Sequence, residues 1–170
     1  MPITWAGRQW HPHDLPPSAA AAVSRLASTD PVEHMPAAVD IIRSAGLDVE
    51  EVIDVAFTAD GDLDVLDLVA GILRTGTARP WRSTVGLCRT TVTQWSAIRG
   101  RLIEKGIPDP LRSLRSLTAL LDVVETMILD GAKDDKDRER LIRDLYPTDV
   151  DSEGAPIGWE DGADGFDGLL

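Results

Sequence analysis

The chain has one cysteine, one tyrosine and two phenylalanines in 170 residues. With Cys88 alone, no internal disulfide framework is available, and this fits a reducing cytosol. No stretch of about 18 uncharged apolar residues occurs, so no membrane-spanning helix is expected. The opening MPITWAGRQW lacks the basic-then-apolar layout of a signal peptide. Reactive motifs are missing too: there is no phosphate-binding loop, no nucleophile elbow and no HExxH. His11 and His13 stand two apart with no further Cys or His at metal-ligand spacing, and His34 is alone. Carboxylates are abundant, but nothing pairs two of them in an apolar setting for acid–base work. These gaps predict a protein that is not an enzyme and uses no cofactor or metal.

What is present predicts an all-α fold. Apolar residues make up 43% of the chain, enough for a core, and helix formers dominate over β-branched and aromatic runs. The net charge of −12 is unevenly spread. Residues 1–78 carry four cations against twelve carboxylates, residues 79–116 eight against two, and residues 117–170 five against fifteen. A basic centre lies between acidic flanks. The flanks either neutralise the centre within the fold or keep an adhesive assembly soluble.

Residues 3–11, ITWAGRQWH, predict two short strands around Ala6-Gly7, with Gly7 supplying the positive φ of a tight hairpin. So small a hairpin is marginal alone, so Trp5 and Trp10 must lie on something. A short helix follows Pro16-Pro17 through SAAAAVSRLA. The next starts at Asp30-Pro31, with Asp30 as N-cap, carries Val32, Ala38, Ile41 and Ile42, and stops at Gly46; Pro36 loosens its first turns. LDVEEVIDVAF puts Val49, Val52, Ile53 and Ala56 on one face. From Leu63 to Leu73 the pattern is apolar nearly all round, which marks a helix central to a bundle, capped by Asp62 and closed by Thr75-Gly76.

TGTARP at 75–80 is the expected junction of two small helical units, residues 1–76 and residues 77–146. In the second unit one continuous helix is expected over 83–105, ending at Gly106. Another runs over 116–130 from a Ser116 cap to Gly131, and a charged one over 134–145 carries Leu141, Ile142 and Leu145. Pro147 ends it. Residues 147–170 are acidic, Gly-rich and aperiodic, which predicts a disordered tail dotted with Trp159, Phe166, Leu169 and Leu170. DGDLD at 60–64 begins like a calcium loop, but Val65 and Gly71 stand where the loop needs Gly and a bidentate Glu.

CRTTVTQWSAIRGRL, residues 88–102, has the look of a DNA-recognition helix. With Gly86 as the turn, Val85, Leu87, Val92 and Trp95 fall on the apolar positions of a helix-turn-helix. The first helix would then run through 77–84 across Pro80, at a cost of about 3 kcal/mol. In a continuous helix, Val85, Cys88, Val92, Trp95 and Leu102 line one seam instead, and Arg101 points away from it. Arg82 and Arg89 lie at the seam's edge. Arg99 falls inside it, with Asp122 and Glu125 as its expected ion-pair partners. A net charge of −12 opposes phosphate binding, so nucleic acid is not the expected partner. Trp81, Arg82, Arg89, Trp95 and Arg101 are the candidates for a protein-binding surface.

The layout as a whole resembles a known family. ITWAGRQWHP precedes an acidic helical stretch; WRSTVGLCRTTVTQWSAIRGRLIEKGIPDP, SLTALLDVVETMI and DRERLIRDLY follow, then the acidic Gly-rich end. Trp81, Arg82, Trp95, Ile98-Arg99-Gly100, the GIPDP turn at 106–110 and Leu120-Leu121-Asp122 carry the likeness over most of residues 3–146. It is similar to the tail assembly chaperones of long-tailed actinobacterial phages, in their extended form. The resemblance implies a non-enzymatic protein of the host cytoplasm that binds the tape-measure protein, helps recruit tail-tube subunits, and is absent from the mature virion. It also implies that a ribosomal frameshift near TGTARP appends the second unit. The alanine run at 19–22 fits that family less well than the later segments do. The competing readings are a DNA-binding regulator using helix 83–105 and a structural head–tail component of the virion.

Overall fold

In this computed structural model, which describes residues 1–59 and 63–146, a two-stranded hairpin precedes a set of packed helices. The strands are β1 (Ile3–Trp5) and β2 (Arg8–Trp10). The helices are α1 (Ala20–Arg25), α2 (His34–Ser44), α3 (Val49–Thr58), α4 (Val65–Thr77), α5 (Trp81–Thr93), α6 (Trp95–Glu104), α7 (Pro110–Ser113), α8 (Leu117–Asp130) and α9 (Asp135–Leu145). Single 3-10 turns, Pro17–Ala19 and Pro31–Glu33, lead into α1 and α2. The expected disordered tail and the expected Asp62 cap lie outside the described residues.

The hairpin turns on two left-handed residues, Ala6 (φ +54°) and Gly7 (φ +69°), a corner whose twist matches that of the strands. Its tryptophans pack on each other, 6.0 Å between ring centroids, and both are buried. What they lie on is α4. Trp5 Nε1 donates to the carbonyl of Asp64 at 3.1 Å, and a Cβ at Gly71 would come within 3.0 Å of Ile3 Cγ2. A glycine inside α4 therefore lets β1 sit close against the helix.

Short polar side chains start the helices. Asp30 accepts from Val32 N, Asp48 from Glu50 N, Asp64 from Leu66 N, Ser116 from Ala119 N and Asp134 from Asp137 N. Asp64 thus caps α4, the role expected of Asp62. Gly46 and Gly106 end α2 and α6 in paired bonds: Gly46 N to Arg43 O with Leu47 N to Ile42 O, and Gly106 N to Ile103 O with Ile107 N to Leu102 O. The expected stop at Thr75-Gly76 is overridden. α4 runs on to Thr77, whose buried hydroxyl bonds both the Leu73 carbonyl and Thr84 Oγ1, and left-handed Ala78 (φ +54°) closes it. A glycine costs a helix only about 1 kcal/mol, and buried packing on both sides of Gly76 outweighs that.

The segments on either side of Ala78–Pro80 share one buried cluster, from Trp5 and Val23 through Ile41, Leu68 and Ile72 to Leu87, Leu102 and Leu121. α1 packs most extensively on α5, and its buried residues are the small Ala20 and Ala22 together with Val23. Outside the 83–105 stretch, three residues expected on apolar faces are exposed. Val32, at 77%, lies in the 3-10 turn, where the α-helical register does not hold; Ile53 and Ile142 sit at the edges of α3 and α9. α2 instead buries Ala37, Ala38, Ile41 and Ile42.

Candidate functional site

The expected continuous helix over 83–105 is two helices. Gln94 (φ −109°, ψ 19°) leaves the helical region and separates α5 from α6. The cause lies in the threonines before it. Thr91 Oγ1 bonds the Leu87 carbonyl and Thr93 Oγ1 bonds the Arg89 carbonyl, each four residues back, as Thr84 does to Pro80. Such back-bonds bend helices, and the run Thr90-Thr91-Val92-Thr93 is β-branched throughout. Gly86, the turn of the helix-turn-helix alternative, lies inside α5.

The break rotates the buried stripe. Val85 and Cys88 are in the core and so is Leu102, but Val92 is 44% exposed and Trp95 half-buried; Ile98 takes the inward place in α6. Burial pushes the Cys88 thiol well above its ordinary pKa, which fits a small apolar core residue rather than a nucleophile.

Arg99 does not drop into the apolar stripe. It is exposed on α6 and makes no ion pair among the described residues. The carboxylates expected for it, Asp122 and Glu125 of α8, are held by Arg79 of the α4–α5 turn. Arg79 Nη2 stands 2.5 Å from Asp122 Oδ1 and 2.7 Å from Glu125 Oε2; its Nε also donates to Glu125, and its Nη1 to the Thr77 carbonyl. Tyr146 donates its hydroxyl to the other oxygen of Glu125 at 2.6 Å. These bonds raise the Arg79 pKa against the lowering effect of burial, so the guanidinium stays charged. Burial raises the Tyr146 phenol, aided by its bond to Glu125. The cluster ties the α4–α5 turn, α8 and the end of α9 together.

The five residues expected to form one partner surface are dispersed. Trp81, thought to stand exposed after Pro80, is 3% exposed in the core, so it is no interface anchor; Arg82 lies half-buried with its Cζ 5.9 Å from the Trp81 ring centroid. The remaining three fall on two faces of the α5–α6 pair, and each face borders a groove.

On one face Trp95, Val92 and Leu111 stand over Pro17, Ala20 and Ala21 in an apolar groove of about 270 Å³. Val92 and Leu111 are each 44% exposed. On the other face Arg89 and Arg101 sit in adjoining hollows of about 590 and 320 Å³ that share Thr90, Gln94, Ile128 and Leu141. Asp144 lines the first and Asp137 the second, so cations and carboxylates alternate there. Leu111 and the α1 alanines escaped the sequence reading, and Val92 was placed on the buried seam instead. Their signal was the alanine run at 19–22: a helix stripped to methyl groups leaves space beside whatever packs on it.

Among the described residues no three His, Cys, Asp or Glu side chains converge as a metal site, and no helix is long and apolar enough to cross a membrane. No curated protein and no solved structure matches the chain. Residues 90–168 match the model of a family of unknown function, DUF7240, so the similarity begins in the last turn of α5 and takes in Trp95, Leu111 and the α8 carboxylates.

Proposed function

We propose that this chain is a protein-binding module that shields apolar helices of a partner, and that it serves as a phage tail assembly chaperone. The observation that carries the binding role is the apolar groove at Trp95. Exposed Val92 and Leu111 converge there with an aromatic ring above a floor of small side chains. A groove of that make-up suits an amphipathic helix that presents anchors at i, i+3, i+4 and i+7. A tape-measure protein, with long apolar helices that aggregate alone, is a partner of that chemistry. The acidic flanks supply solubility to the assembled pair.

The tail-assembly role itself rests on the resemblance of residues 3–146, and with it the tape-measure and tail-tube partners, the host cytoplasm as the place of action, and absence from the finished particle. The other face weighs against the DNA-binding alternative. Arg89, Gln94 and Arg101 line a concavity together with Asp137 and Asp144, where phosphates would meet carboxylates.

Co-expression with the tape-measure protein tests the reading. The wild-type chain should keep the partner soluble and co-purify with it, and Val92→Glu with Leu111→Glu should leave the partner in the pellet while the variant stays helical by circular dichroism. A soluble complex that survives the double substitution would refute the groove as the docking site. Mass spectrometry of purified particles separates the remaining alternative, because a structural head–tail component would be present in stoichiometric amount.

A further inference from the structure

α3 presents more apolar surface than its neighbours cover. It lies on α2 and α4, and Val52 is its one buried residue. Phe57 is 87% exposed and Ile53 is 39% exposed, one helical turn apart on the same side. Glu50 and Asp54 continue that strip, so Glu50, Ile53, Asp54 and Phe57 fall at i, i+3, i+4 and i+7. Neighbouring exposed apolar side chains with a charged rim have the make-up of a contact surface.

The charge of the strip selects its occupant. Residues 44–73 contain eight carboxylates and no cation. Glu51 is paired with Arg8 at 3.2 Å, whereas Glu50 and Asp54 make no ion pair among the described residues. Two copies of α3 face to face would set carboxylate against carboxylate, so the strip does not pair with itself. A basic helix face of matching size lies on α6. That helix rests on α5 through Ile98 and Leu102, and away from them Ser96, Arg99, Gly100 and Ile103 repeat the same spacing. All four are exposed, Ile103 by 46%. A Cβ at Gly100 would meet no atom within 4 Å, so the middle of this face is open to an aromatic ring. Residues 95–116 hold five cations against two carboxylates, and Arg99 and Lys105 are exposed without an ion pair among the described residues.

We infer that α3 of one copy of this chain docks on α6 of a second copy. Phe57 and Ile53 lie over Ser96 and Gly100 beside Ile103, and Glu50 and Asp54 meet the cations of the α6 side. The two faces differ, so the contact is heterologous: a row of copies ends in a free α3 at one side and a free α6 at the other. Each helix has ten residues, a length of about 15 Å. Their contact is smaller than the roughly 1,600 Å² of a standard interface, so association is reversible and grows with concentration. The inference goes beyond the proposed function and uses neither the Trp95 groove nor its partner.

The test is sedimentation velocity of the full chain without any partner. The weight-average sedimentation coefficient should rise between micromolar and millimolar protein. Phe57→Ser on one face, and Arg99→Glu with Ile103→Ser on the other, should each weaken association at least about tenfold. Circular dichroism should be unchanged in both variants, because every replaced side chain is exposed. An equal mixture of the two variants should form a one-to-one complex that grows no further, since one intact α3 meets one intact α6. Exchanging the charges of both faces in one chain, with Glu50→Lys, Asp54→Lys, Arg99→Glu and Lys105→Glu, should restore the association that either pair of reversals abolishes. A chain that stays monomeric at millimolar concentration would overturn the inference. So would association that survives Phe57→Ser, or a mixture of the two variants that remains monomeric. None of these outcomes bears on the tape-measure experiment, so the two readings fail separately.

Discussion

α5 and α6 both begin with a tryptophan, Trp81 and Trp95, fourteen positions apart, and the two helices do opposite things. α5 buries seven of its thirteen residues, including Trp81, Val85, Leu87 and Cys88. α6 buries Ile98 and Leu102 and leaves Trp95 at a groove edge. One helix is part of the core and the next displays a surface, although a single residue, Gln94, separates them. The difference arises from what each helix packs against. α5 lies on the methyl-lined side of α1 and is also flanked by α4 and α8, whereas α6 contacts fewer neighbours along its length. Composition contributes little to the contrast; position in the stack decides it.

Truncating the two tryptophans is the severest way to break this comparison. Trp81→Ala should cost about 3–5 kcal/mol in chemical denaturation, as for other buried aromatics, and Trp95→Ala less than half of that. Equal losses would mean that α6 is core after all. A second contrast sets the arginines apart. Arg79, with a side chain 10% exposed, loses charged hydrogen bonds to two carboxylates on replacement by Ala, which should destabilise by about 2 kcal/mol. Arg99→Ala should stay within about 0.5 kcal/mol by the same measurement.

Within α5, Thr84→Val removes one partner of the buried Thr77–Thr84 hydroxyl pair and should cost about 1 kcal/mol in urea titrations. The smallest effect concerns the break itself. Thr93→Ala deletes an exposed back-bond and a β-branched side chain just before Gln94, and should stabilise by about 0.5 kcal/mol, visible as a small rise in Tm. A loss of stability there would show that the Thr93 hydroxyl supports the break rather than merely accompanying it.

The hairpin, the Asp30 and Ser116 caps, the ends at Gly46 and Gly106 and the central place of α4 were all legible in the sequence, because each depends on one or two neighbouring residues. The misreadings share a different cause. Asp62 and Asp64 are equivalent by local chemistry, and only the packing of α4 selects between them. Asp122 and Glu125 were expected to hold Arg99 and hold Arg79 instead, because periodicity can assign angles only within a helix, and Arg79 sits in a turn that has none. The seam through Val92 assumed an unbroken 100° register, and three side-chain bonds to the backbone spoil it. Of the groove's lining, Trp95 was the residue singled out as partner-facing. Its companions from α1 and α7 were not, since contacts between distant segments leave no periodic trace.

The bonds of Arg79 and Tyr146 to the two oxygens of Glu125 make one carboxylate a shared fastener. Removing one partner, for example with Tyr146→Phe, leaves the other still held, so the α4–α5 turn and the end of α9 loosen one at a time rather than together.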